Sequence, residues 1–226
     1  DYLQRFGNKE HITPYLDSLI PHGLWFDQFY ASGTRTVRGL EALSLAIPPT
    51  PGQSIVRRPD NDDMFTMGSV LKGKGYDCHY IYGGNSFFDN MGKFFSNSSY
   101  TVLDKRDIPD SFVHHITAWG IDDEGALDYT IRQCDKSYAA GKLFFNHVMT
   151  VSNHRPYTYP EGRIDIPPSS QTIAGAVKYT DYAINKFLSD YGSRYLCIVH
   201  VREKNLGTIP PVNHKGRNHL TFFPHK

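Results

Sequence analysis

Short apolar runs alternating with amphipathic helical stretches constrain this chain more than any other feature. "YDCHYIYG" at 76–83 and the run at about 143–150 in "GKLFFNHVMTVSNH" read as strands. Helical patterns surround them. "TVRGLEALSLAI" opens near Thr36 and stops before the Pro48-Pro49 pair. "MFTMGSVLKGKG" ends on glycine, and "AGAVKYTDYAINKFLSD" sets Val177, Ile184, Phe187 and Leu188 on one helical face. Nearer the start, Pro14 fits a first helical turn, Leu16, Leu19 and Ile20 share a face, and Gly23 is a stop before the short strand "LWFDQFYA". This alternation predicts an α/β fold with a mostly parallel sheet flanked by helices. Ligand groups in such sheets come from loops at the strand C-termini.

The 226 residues suffice for one α/β domain with a sizeable core. The formal charge of +1 gives no electrostatic case for nucleic acid. No apolar run approaches the ~20 residues of a membrane helix. Aromatic content of 14% is read first as a large core, with a carbohydrate, lipid-headgroup or interfacial setting as the alternative. Cys78, Cys134 and Cys197 have no metal-type spacing, and an odd count does not favour a disulfide framework. The chain starts at Asp1 rather than Met, so the expectation is a piece of a longer protein. Residues 191–226 carry six Lys/Arg and one Glu, a net of +5, which leaves −4 on the rest and marks the tail as different.

Three loops carry candidate chemistry. "ASGTRTVRG" leads into a helix whose free N–H groups attract an anion, with Thr36 at that terminus between Arg35 and Arg38. A hydroxyl there is a nucleophile if something lowers its pKa, and arginines hold non-bridging oxygens. On residue types alone, Thr36 reads first as an N-cap with solvated arginines beside it. In "SNHRPY", His154 and Arg155 suit an oxyanion, or simply a turn. "YGGNSFFDNM" offers Asn85, Phe88 and Asp89 to a headgroup, or to a tight turn.

Together these stretches resemble a known family. "TPYLDSL" followed by "GLWFDQFYASGTRTVRGLEAL" resembles the opening of the sulfatase and alkaline phosphatase superfamily. "PPTPGQSIVRRP", "YIYGGNSFFDNM", "WGIDDE", "SNHRPYTYPEGRID" and "AVKYTDYAINKFL" are similar to its lipoteichoic acid synthase and phosphoglycerol transferase branch, over roughly residues 1–188. The resemblance implies an alkaline-phosphatase-like sandwich, truncated here at both ends, with a partial catalytic domain at 1–190. It implies an enzyme on the outer face of a bacterial cytoplasmic membrane, in which a metal-activated threonine takes glycerophosphate from phosphatidylglycerol and passes it to a glycan or polymer acceptor. Thr36 matches that threonine. Arg35 and Arg38 would lie near the anion, His154 and Arg155 would bind phosphate, and Asn85, Phe88 and Asp89 would face the glycerophosphate. The Cys/Ser-x-Pro-x-Arg element of sulfatases is absent, since the matching place reads "TRTVRG". Hydrolysis of a sulfuric or phosphoric ester is the alternative chemistry, and a non-catalytic remnant that binds a glycan, headgroup or partner is the alternative of another class.

The resemblance also implies a divalent ion, manganese or similar, held by an upstream Glu, the Thr, and a later Asp-His pair. Only Thr36 of that set is present. Val199 precedes His200, and 191–226 contains no Asp. The expectation is therefore that this chain binds the metal poorly and transfers slowly, and that 191–226 is a divergent tail, out of frame or disordered. His214, His219 and His225 fit no metal-spacing template.

Overall fold

Three parallel strands form the centre of the computed structural model, which describes residues 2–26 and 33–191 and the strands Cys197–Arg202 and Asn218–Phe223. In chain order the helices are α1 (Pro14–Leu19), α2 (Thr36–Leu45), α3 (Met67–Gly73), α4 (Met91–Asn97), α5 (Asp123–Ala139) and α6 (Ile173–Tyr191). The strands are β1 (Leu24–Trp25), β2 (Asp77–Tyr82), β3 (Thr101–Leu103), β4 (Ile116–Thr117), β5 (Gly120–Ile121), β6 (Phe144–Met149), β7 (Cys197–Arg202) and β8 (Asn218–Phe223).

β2 lies between β3 and β6, parallel to both, with Tyr80 opposite Val102 on one side and His147 on the other. A parallel strand is buried on both faces, which is why "YDCHYIYG" is apolar almost throughout. Tyr80 and Tyr82 pack with Val37 and Leu40 of α2 and Phe94 and Phe95 of α4. Ile81 points the other way, onto Ile121 and Tyr129 of α5. α6 covers α5 through Ala183 and Phe187 against Leu127 and Cys134. The predicted mostly parallel sheet flanked by helices is thus the observed core.

α2 ends at Leu45, before the proline pair, and α6 runs through the whole amphipathic stretch. α1 stops at Leu19, and Ile20 opens a tighter 3₁₀ turn containing Pro21. The strand read in "LWFDQFYA" is described at Leu24–Trp25; 27–32 lie outside the described residues. Strands do follow residue 190, in the tail read as divergent: β7 and β8 pair antiparallel, and β8 pairs with β1. "CIVHVR" and "NHLTFF" are rich in β-branched and aromatic residues, and such runs favour strands whatever precedes them. The rest of 191–226, on which the reading of that tail depends, lies outside the described residues.

α1 is capped from a distance. Thr13 makes no side-chain cap; instead the N–H groups of Tyr15 and Leu16 donate to the Asp181 carboxylate of α6 at 3.0 and 2.8 Å. Burial pushes the Asp181 carboxyl up to about 6, helped by Asp17 and opposed by these two N–H bonds and by Lys178. Its unfolded value is about 3.9. The folded chain therefore binds more protons than the unfolded one between these values. The stability this group contributes is fully present below about pH 4 and is lost as pH rises to about 6. Subtracting the stability-versus-pH curve of Asp181→Asn from that of the parent chain should leave a decline of on the order of 2 kcal/mol over that window. Parallel curves would show that Asp181 titrates normally.

Candidate functional site

The site residues sit where the strands end. Val37, one residue into α2, packs in the same buried cluster as Tyr82, the last residue of β2, and Val151, just past β6. The start of α2 therefore shares a buried cluster with the C-terminal ends of both strands. No side chain caps that terminus; Arg35 occupies the N-cap position and Thr36 follows, half-buried.

Gly33 answers a packing need, because a Cβ there would lie 2.8 Å from the Arg38 Cβ. Arg38 itself is committed to the fold. Its Nη1 donates to Glu41 Oε2 and to the Thr50 carbonyl, both at 3.0 Å, and its Nη2 donates to the Gly52 carbonyl. It ties the loop after α2 to the helix, so its donors are not turned toward an anion at Thr36. Arg35 is exposed.

The loop after β2 is pinned on both sides of Asn85. Lys105 N–H donates to the Gly84 carbonyl at 3.1 Å, and Ser86 donates to Asp104 Oδ2 through N–H at 3.0 Å and Oγ at 2.7 Å. Asn85 is exposed and accepts the Phe87 N–H through Oδ1 at 3.0 Å. Burial alone would raise the Asp104 carboxyl. Arg106 at 2.8 and 2.9 Å together with Ser86 outweighs it and holds that carboxyl far below the usual range. Asp89 pairs with Arg57 Nε at 3.2 Å, so its charge is offset within the loop.

Trp119 joins this loop to the one after β6. Its ring stacks on His154 at 4.6 Å and meets Phe88 edge-on at 5.6 Å, while its Nε1 donates to the Arg155 carbonyl at 2.8 Å. The His154 loop hangs from the first turn of α5, where Asp123 accepts Val151 N–H and Ser152 N–H at 2.9 Å and Thr180 Oγ1 at 2.6 Å. Burial pushes the Asp123 carboxyl up, and these donors work against that. Arg155 is exposed, makes no ion pair among the described residues, and lines a surface depression with Pro156, Tyr157 and Gln171.

Of the candidates, Phe88, His154 and Arg155 meet through Trp119, Asn85 neighbours Phe88 in the same loop, and Thr36 opens α2. Arg38 and Asp89 are spent on internal partners. Trp119, Asp104 and Asp123 were not singled out in the sequence. "WGIDDE" held the trace of two of them, an acidic pair after a tight turn that opens a long helix.

Among the described residues one group has metal-type geometry, His114, Glu124 and Asp128, whose ligand atoms lie within 4.8 Å. Cations already occupy it: Arg163 lies 2.7 Å from Glu124 and Lys186 lies 2.6 Å from Asp128. The set implied for an ion at Thr36, an upstream Glu and a later Asp-His pair, is not among these three residues.

A family profile described as Sulfatase matches residues 1–194. The chain is 26% identical over 182 residues to phosphoglycerol transferase I of Xanthomonas axonopodis pv. citri, covering 73% of this chain and 26% of that protein. It therefore spans about a quarter of that relative's length. A protein of the alkaline phosphatase superfamily from Vibrio parahaemolyticus superposes with TM-score 0.89 at 30% identity, over 99% of this chain and 56% of that one. The lipoteichoic acid synthase LtaP from Listeria monocytogenes shares the fold, with TM-score 0.78 at 17% identity over 95% of this chain and 60% of that one.

Two measurements check this geometry. Asp104→Ala leaves the Ser86 N–H without its partner and should cost on the order of 2–3 kcal/mol in denaturant unfolding, more than removal of exposed Arg106 costs. In a Trp25→Phe background, His154→Ala should alter the emission of Trp119. An unchanged spectrum would mean the rings do not stack.

Proposed function

The chain belongs to the Sulfatase family, and from that membership we propose that it is the glycerophosphate-handling part of a phosphoglycerol transferase-type domain. The donor in this reading is phosphatidylglycerol on the outer face of a bacterial membrane, and the acceptor is a glycan or polymer hydroxyl. No described helix is long and apolar enough to cross a membrane.

The observation that carries the reading is the Phe88–Trp119–His154 ring stack beside exposed Arg155, on the loops that follow β2 and β6. An uncapped helix N-terminus attracts a phosphate, Arg155 and Arg35 supply charge, and the ring wall shields the glycerol carbons. His154 binds a phosphate oxygen, and Asn85 directs its remaining amide at the glycerol. In the transfer step Thr36 Oγ bonds to phosphorus, the bond to the diacylglycerol oxygen breaks, and the threonine proton passes to that leaving oxygen. The acceptor oxygen then bonds to phosphorus, the bond to Thr36 Oγ breaks, and the acceptor's proton passes to Thr36 Oγ. A bound ion would ease loss of that proton, but the described residues do not assemble one at Thr36, and an unassisted alcohol is a poor nucleophile near neutral pH. That mismatch favours a second reading, in which the chain as given binds the headgroup without turning it over.

The expected outcome is binding with little transfer. sn-Glycerol-1-phosphate should shift the Trp119 emission, and His154→Ala or Arg155→Ala should each weaken the affinity roughly tenfold. Diacylglycerol release from phosphatidylglycerol should be slow and vanish in Thr36→Ala. Turnover of an aryl sulfate in place of the phospholipid would overturn the transferase reading. Micromolar manganese binding lost in Thr36→Ala would overturn the expectation of slow transfer.

A further inference from the structure

Four apolar side chains project from the surface beside the ring stack. Phe87 is 86% exposed, Ile116 71%, Phe88 50% and Trp119 36%. The phenylalanines lie on the loop after β2, and Ile116 and Trp119 lie on the β4–β5 hairpin. The two pieces are joined. Ile121 N–H donates to the Gly83 carbonyl at 2.8 Å, Gly84 and Gly120 form a bridge, and Phe88 meets Trp119. Both backbones are also fixed internally, the loop by Asp104 and the hairpin by Thr117 Oγ1, which accepts the N–H groups of Trp119 and Gly120 at 3.0 and 3.1 Å. The scaffold holds these apolar groups in water, a position that burial against a partner would relieve.

The chemistry of the patch selects the partner. Phe87 and Ile116 carry no polar side-chain atom, so they match hydrocarbon better than a sugar, which needs hydrogen bonds. Trp119 already spends its N–H on Arg155, which leaves the ring for an apolar neighbour. Lys105 is tied by its N–H to the Gly84 carbonyl of the loop, and Arg155 by its carbonyl to Trp119 of the hairpin; both are exposed and without an ion pair among the described residues. By contrast Arg57 and Arg106 nearby are paired with Asp89 and Asp104. Apolar groups rimmed by unpaired cations complement an anionic lipid surface.

We propose that Phe87, Phe88, Ile116 and Trp119, flanked by Lys105 and Arg155, form a docking rim that seats on an anionic bilayer. A headgroup then reaches the His154 loop while its acyl chains stay in the membrane. That purpose rests on the glycerophosphate reading; the membrane contact does not.

Vesicle flotation tests it on the chain as it stands, with phosphatidylglycerol–phosphatidylcholine vesicles and vesicles of phosphatidylcholine alone. Phe87→Ser should lower partitioning about tenfold and Phe87→Ser with Ile116→Ser about a hundredfold, while Phe87→Leu stays close to the parent. Lys105→Glu should weaken flotation on the anionic vesicles only. Thermal midpoints and sn-glycerol-1-phosphate affinity should be unchanged by Phe87→Ser, since that ring lies outside the proposed headgroup contacts. Failure of the parent chain to float overturns the proposal. So does flotation indifferent to the Phe87 and Ile116 substitutions, or capture by a soluble glucan that depends on them. Flotation without glycerophosphate binding would keep the rim and sink the transferase reading; glycerophosphate binding without flotation would do the reverse.

Discussion

Two adjacent buried carboxylates organise this molecule. Asp122 caps α5, accepting the Gly125 N–H at 3.0 Å, and also takes His114 N–H, His115 N–H and the Tyr179 hydroxyl. Asp123 takes Val151 N–H, Ser152 N–H and Thr180 Oγ1. One dipeptide thus joins the hairpin approach, the first turn of α5, the loop after β6 and α6. Removing a carboxylate from water is costly, and it is tolerated here because every oxygen of the pair meets at least one donor and three of the four meet two. The helix N-terminus favours the negative charge as well. The Trp119–His154 contact depends on this junction, since one ring stands just before the pair and the other follows the two N–H groups that Asp123 holds.

This arrangement explains which parts of the molecule could be read from the chain. The strand runs, the α2 stop before Pro48-Pro49 and the α6 face were legible because they are set by local periodicity and by breakers. Capping was not. Asp181 sits mid-helix in α6 and caps α1, 165 residues away along the chain at Leu16, and nothing in "TDYAINK" marks it as a cap. The strands Cys197–Arg202 and Asn218–Phe223 were passed over because charge shift and turn residues in the tail weighed more than two short β-branched runs. Of the site, His154, Arg155 and Phe88 were visible as types in loops. Trp119, which brings them together, was not, because a lone tryptophan in a turn carries no pattern.

The arginines show why residue type alone misplaces roles. Arg35 and Arg38 flank Thr36 equally in sequence, yet α2 turns Arg38 back onto Glu41 and the loop carbonyls of Thr50 and Gly52. A buried Glu41 needs that cation, and loop carbonyls facing the helix need donors, so one guanidinium serves both. Arg106 is held in the same way by Asp104, and Arg57 by Asp89. Fixed cations build the loops; those left over, Arg35, Lys105 and Arg155, are the ones placed to meet an anion from outside.

Binding and reaction make different demands on such an edge. Binding an anionic headgroup needs donors, unpaired cations and an apolar wall, all of which short loops can supply once buried carboxylates fix them. Reaction at a threonine needs its proton to leave, and that requires a strong local positive field or a base. The cluster with metal-type geometry does not provide it. Glu124 and Asp128 are neutralised by Arg163 and Lys186, which makes the cluster a clamp between α5, α6 and the segment carrying Arg163 rather than a vacant site. An ion there would have to compete with two cations already within contact distance. In the proposed reading, headgroup recognition is the part of the chemistry assigned to these loops, and proton loss at Thr36 is the part that calls for a further group.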